Sequence, residues 1–267
     1  MLLRRITKHV KDQNWFAVGL DFFIVVTGIW VALMVGQWVD ERQQRSNLAR
    51  AEDDINNEIA STYYVAYERL SIAPCRKARY EVLAELLRMS DPQWPGSPGP
   101  YGDGELTKYR VFPPALRSSV RSWGSLAWDT ALSKGTLDIM DPERRRLVTN
   151  YYDNVKYASD LQGDIHKIES RLQVLSYPAE MTTSDRLRYH DVLSEADAQS
   201  AALELAAEQI IHVIEDNGLL VLSGDVRDDL HDWVEESRIF LGDVYGACAA
   251  SIELPLLDAE PDIAETN

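Results

Sequence analysis

The chain is short of the residues that most often carry chemistry. It holds two cysteines and five histidines in 267 residues. None of them falls in a CxxC or HExxH spacing, and there is no phosphate-binding glycine loop and no nucleophile elbow. That excludes the common zinc, redox, nucleotide and acyl-transfer signatures. His166 and Glu169 share a helical face by spacing, but carboxylate-bridged metal bundles need Glu-x-x-His twice with further carboxylates. His190 and His231 each precede an aspartate, and adjacent residues on a helix do not face each other. Catalytic residues, metal ligands and cofactors are therefore not expected, and neither is enzymatic activity. Basic residues are also scarce, 27 against 43 acidic, for a net charge of −16. Such a balance repels nucleic acid. Strand-like alternation and internal repeats are missing as well.

The charge that is present is unevenly placed. Before residue 40, Arg4, Arg5, Lys8 and Lys11 face only Asp12 and Asp21, a net of +2, which leaves the rest of the chain at −18. Leu2, Leu3, Ile6 and Val10 line one side of this basic arm, a pattern suited to a helix lying on an anionic inner leaflet. A long apolar run follows. Residues 22–39 contain only Thr27 and Gln37 as polar side chains. At ~1.5 Å per residue they reach roughly 27 Å, the thickness of a bilayer core. Trp15 and Trp38 flank the run at the depth of an aromatic belt. A cleaved leader has a shorter apolar core and a small-residue cleavage site, and "QWVDERQQR" offers none. The expectation is a retained transmembrane helix over 16–39, with 1–15 as a cytoplasmic arm. Arg42, Arg45 and Arg50 beyond the run leave only a slight lysine/arginine bias toward a cytoplasmic N-terminus.

Asp21 stands inside this hydrocarbon stretch. At ~100° per residue, Gly28 lies about 20° from it around the helix, Ala32 about 20° the other way, and Gly36 about 60° off. Gly28-xxx-Ala32-xxx-Gly36 is a small-xxx-small strip that lets a second helix approach closely in lipid. Asp21 shares its side and can hydrogen-bond across such a contact. Two other readings stay open. Asp21 can simply mark the membrane boundary, since it is about 9 Å along the axis from Trp15. It can also move ions, as the intramembrane aspartate of stator-like subunits does.

Beyond the run, Leu48, Ile55, Ile59, Thr62, Ala66, Leu70 and Ala73 keep helical periodicity. Pro74 is expected to kink that helix or to start a new one that runs to about Met89. Residues 91–114 hold six of the eleven prolines and four of the fourteen glycines, a long loop. A short helix closed by Gly135 follows. Asp141 as N-cap and Pro142 at the first position then open a helix ending near Tyr177 and Pro178. Further helices are expected over 184–217, stopped by Gly218, and over 225–254, ended by Pro255. The last residues, 255–267, read as an acidic disordered tail. The fold class is all-α, an N-terminal transmembrane helix continuing into a four- to five-helix bundle over 40–254. If that bundle is exported, Cys75 and Cys248 can pair and staple its first and last elements. Otherwise they are two buried thiols.

The opening "LLRRITKHVKDQNWFAVGLDFFIVVTGIWVALMVGQWVDER" resembles a group of uncharacterised bacterial single-pass membrane proteins, with a basic arm, a G-x-D-F-x-I-V-x-x-G core and an aromatic-acidic exit. "WDTALSKGTLDIMDPERRRLVTNYY" continues the resemblance loosely, while Pro74 and the Pro/Gly-rich loop depart from it. The resemblance implies a bacterial inner-membrane location and a helical exported domain, and no activity. The function expected is association in the bilayer, as a homo-oligomer or as an accessory subunit of an inner-membrane complex with a periplasmic bundle. The alternative is a ligand-sensing bundle that relays its signal through a partner, because the cytoplasmic arm is too short for an output domain.

Overall fold

The structure is a computed structural model that describes residues 15–96 and 121–258, with side chains described from residue 19. The basic arm, most of the Pro/Gly-rich loop and the acidic tail beyond 258 lie outside the described residues. The chain divides into two compact units, Met1–Arg50 and Ala51–Asn267.

Among the described residues the protein is all-α, with six α-helices and almost no strand. Helix α1 spans Trp15–Arg88. A two-residue strand β1, Gln93–Trp94, comes next, then α2, Leu126–Ser133, and a 3-10 turn, Thr136–Ile139. Helix α3 is Pro142–Leu172, followed by a 3-10 turn, Gln173–Ser176, and β2, Ala179–Glu180. Helix α4 is Thr183–Asp216 and α5 is Gly224–Tyr245. A 3-10 turn, Gly246–Cys248, and a single helical turn α6, Pro255–Asp258, close the described chain.

Local chemistry explains most helix ends. Asp141 accepts from the Arg144 backbone NH, with Pro142 at the first position of α3. Thr182 and Asp185 form a reciprocal capping box on α4. Gly135 and Gly218 adopt φ of +66° and +57°, which a side chain would resist.

Two boundaries differ from the sequence expectation. Pro74 does not start a new helix but sits inside the continuous α1. Its ring is on an exposed position, so the carbonyl that loses its donor can bond water instead. Helix α3 tightens into the 3-10 turn after Leu172, and the helical run ends where the sequence placed it, at Tyr177, held extended at φ −115° and ψ 145° ahead of Pro178. Helix α5 stops at Gly246, φ +66°, nine residues short of Pro255, and Pro255 opens a helical turn instead of ending one.

The core of the second unit follows helical spacing. Val148, Tyr151, Val155, Ala158, Leu161, Ile165, Ile168 and Leu172 are the buried stripe of α3, facing Val192, Ala196, Leu203, Ala207, Ile210 and Ile214 of α4. Residues of α1 pack in at both ends. Tyr80, Leu83 and Leu87 join Trp94, Leu175 and Met181 at one. The Trp94 indole is fully buried and donates to the Leu175 carbonyl at 2.8 Å, so this part of the expected loop is tied to the bundle. The β1–β2 pair, antiparallel with Trp94 opposite Ala179, fixes it there.

Candidate functional site

The first unit carries the apolar run as an exposed helical surface. One helix among the described residues is long and apolar enough to cross a membrane. Phe22, Phe23, Trp30, Leu33 and Trp38 are each 59–71% exposed. A water-facing helix with that surface would cost about 1.5–3 kcal/mol per large side chain relative to burying it. Asp21, Ala32 and the two glycines are exposed with them. A Cβ added at Gly28 or Gly36 would meet nothing within 4 Å, so the small-residue strip is open surface. No described residue pairs with Asp21. The Arg42 guanidinium rests over the Trp38 ring at 5.7 Å, a cation placed beside the aromatic belt position. Arg4, Arg5, Lys8 and Lys11 are outside the described residues, and Trp15 lies in α1 with its side chain not described.

Cys75 and Cys248 are disulfide-bonded across 173 positions, with their Cα atoms 5.2 Å apart. The bond joins the buried side of α1 to the turn after α5, next to Ile72, Leu241, Val244 and Tyr245. The Ala250 NH donates to the Ser71 carbonyl at 2.9 Å and the Ser71 hydroxyl donates to the Ala250 carbonyl, doubling the tie.

The second unit also buries charge, which the sequence reading did not find. Ile55, Thr62, Arg69, Arg76 and Leu83 form one heptad-spaced row on α1, and every member is buried. Arg76 bonds Glu204 through Nε at 2.9 Å and Nη2 at 3.0 Å, and Asp197 through Nη1 at 2.7 Å. Burial opposes its charge, but those carboxylates outweigh the penalty and hold its pKa above the ordinary arginine value. Arg69 is 4% exposed, Glu204 lies 4.0 Å from it, and among the described residues its Nε and Nη2 have no hydrogen-bond partner. Burial pulls its pKa down, with Glu204 opposing. The signal was two arginines continuing a core heptad, at positions where arginine is almost never fully buried without a partner.

Carboxylates of α1, α3 and α4 are engaged in the same way, Glu58 and Glu215 half-buried and Glu169 buried. Glu58 accepts from the Tyr152 hydroxyl at 2.7 Å and from the Ala127 backbone at 3.2 Å. Glu215 accepts from Tyr63 at 2.6 Å and Tyr67 at 3.0 Å. Buried Glu169 accepts from Tyr80 at 3.1 Å, and His166 on the same helix is exposed. Among the described residues no group of three or more histidine, cysteine, aspartate or glutamate side chains is placed to hold a metal ion.

One groove of about 510 Å³ opens between α1 and α5. Tyr64 and Trp233 form a corner, their ring centroids 5.9 Å apart at 55°. Phe240 continues that side under the Arg121 guanidinium, 5.8 Å from its centroid. Arg121 is held in place by two bonds to the fully buried Glu68, 2.6 and 2.8 Å. Glu236 is exposed at the groove wall and no described residue pairs with it. The Tyr64 phenol has its pKa raised, first by burial and then by the Glu68 and Glu236 carboxylates against the opposing Ser237 and Arg121.

No family model, no curated protein and no solved structure matches this chain.

Proposed function

We propose that the protein is a membrane-anchored helical-bundle protein that acts by association, as a homo-oligomer or as an accessory subunit of an inner-membrane complex. In this reading the N-terminus is cytoplasmic, the bundle is periplasmic, and the lipid bilayer is its first partner. The observation that carries it is the exposed α1 surface, where Gly28, Ala32 and Gly36 leave a strip with nothing above it and Asp21 lies on the same side. A helix that only anchors needs neither the strip nor the carboxylate. Packed against a second helix, the strip admits close backbone contact and Asp21 gains a hydrogen-bond partner. Alone in lipid at the bilayer centre, the carboxylate would cost ~2.5–3.5 kcal/mol on insertion scales.

The test is purification of the full chain in a mild maltoside detergent, followed by mass determination of the intact assembly. The expected result is a mass above one chain plus detergent, from extra copies or a second subunit. Gly28→Leu with Gly36→Leu should reduce that assembly to the monomer, and Asp21→Asn should preserve most of it, because an amide keeps the hydrogen bond. A monomeric wild type refutes the proposal. An assembly that survives Asp21→Asn while ion movement stops would replace it with the ion-coupled reading.

A further inference from the structure

Beyond association, the groove between α1 and α5 has the composition of a ligand site. We propose that it binds a small organic ammonium ion, with its methyl or methylene groups in the Tyr64–Trp233 corner and its charge balanced by Glu236.

Charge decides the sign of the ligand. Arg121 and Glu68 cancel each other through two short bonds, and Glu236 is left without a described partner, so the groove carries one net negative charge. An anion would meet Glu236 and would find the Arg121 charge already neutralised by a fully buried carboxylate. The acidic chain, at −16 overall, adds a general attraction for cations. Geometry decides that the cation is organic. Tyr64 and Trp233 meet at 55° without stacking and both line the groove, Trp233 the less buried of the two, and indole is the best aromatic partner for a cation. The wall already holds one cation this way, since the Arg121 guanidinium lies over Phe240. A bare metal ion would find a single carboxylate and no second one among the lining residues. The volume, about 510 Å³, falls in the range of small-molecule pockets.

The site is independent of the membrane contact, and its failure leaves the association reading untouched. The experiment is calorimetric titration of the full chain in maltoside micelles, which carry no ammonium headgroup, with tetramethylammonium chloride against sodium chloride at equal ionic strength. Saturable heat is expected with tetramethylammonium only. Glu236→Gln, an exposed position that should not disturb folding, should weaken binding about tenfold, as should Trp233→Leu, while Trp233→Phe should retain part of it. Heats identical to those of sodium chloride would overturn the proposal. So would saturable binding that Glu236→Gln and Trp233→Phe both leave unchanged.

Discussion

Arg69 and Arg76 lie two turns apart in the same buried row, yet removing them should have different effects. Arg76 satisfies both oxygens of Glu204 and one of Asp197. Arg76→Met leaves Glu204, 18% exposed, with Arg69 at 4.0 Å, and should lower unfolding stability by about 3 kcal/mol. Arg69→Met removes a buried cation with two unbonded nitrogens and leaves Glu204 bonded. It should change stability by no more than about 1 kcal/mol, in either direction. Urea unfolding of the two variants beside the wild type checks the contrast. Equal losses would mean that Arg69 is as well satisfied as its neighbour. The row was present in the sequence as a seven-residue spacing. It went unread because a search for apolar periodicity passes over arginine, and the partners that make its burial tolerable come from α4, more than 120 positions away.

At the level of elements, helix starts were more legible than helix ends. Asp141 and Pro142 announced α3, whereas the Thr182–Asp185 box was missed because Asp replaces the usual Glu or Gln three residues on. Asp141→Ala should cost about 1 kcal/mol, read as a lowered midpoint in thermal unfolding. The end of α5 was misplaced because a single residue competes with a continuing apolar pattern. The helical run of α3 ends as expected, since Tyr177 must be extended before Pro178. Leu254 extends the pattern of α5, but Gly246 turns the chain. The groove was illegible for a different reason. Its aromatic corner is built from Tyr64 and Trp233, and only the packing of α5 on α1 brings them together. The disulfide belongs to this scale too, since it clamps α1 to the turn after α5. Reduction, or replacement of both cysteines by alanine, should cost ~2–4 kcal/mol. A calorimetric melting temperature unchanged by reductant would contradict that.

For the molecule as a whole, buried tyrosines set the alkaline limit. Tyr67 is pushed up from 10.0 to about 12, chiefly by burial and then by its bond to Glu215. Tyr63, Tyr80, Tyr151 and Tyr152 are raised as well, each first by burial. A phenol whose folded pKa exceeds its unfolded value favours the folded state fully below the unfolded value and loses that contribution as pH climbs through the folded one. Stability should therefore fall from about pH 10 upward. Phenolate absorbance should show an ordinary fraction titrating near pH 10, with the buried fraction appearing only on unfolding. A single smooth titration of all tyrosines near pH 10 with the fold intact would contradict it. The helix long and apolar enough to cross a membrane was legible from composition alone, because solvent preference is a sum over residues. The interior of the bundle was not, because buried charges such as Arg76 and Glu68 are matched by partners distant in the chain. The Cys75–Cys248 bond has one more consequence. With two cysteines in the chain, oxidation has a single intramolecular product, so no shuffling among wrong pairings is needed. A nascent chain must nonetheless carry Cys75 as a thiol until 173 more residues have been made. During that interval its sole mispairing hazard is a neighbouring copy of itself or a foreign thiol.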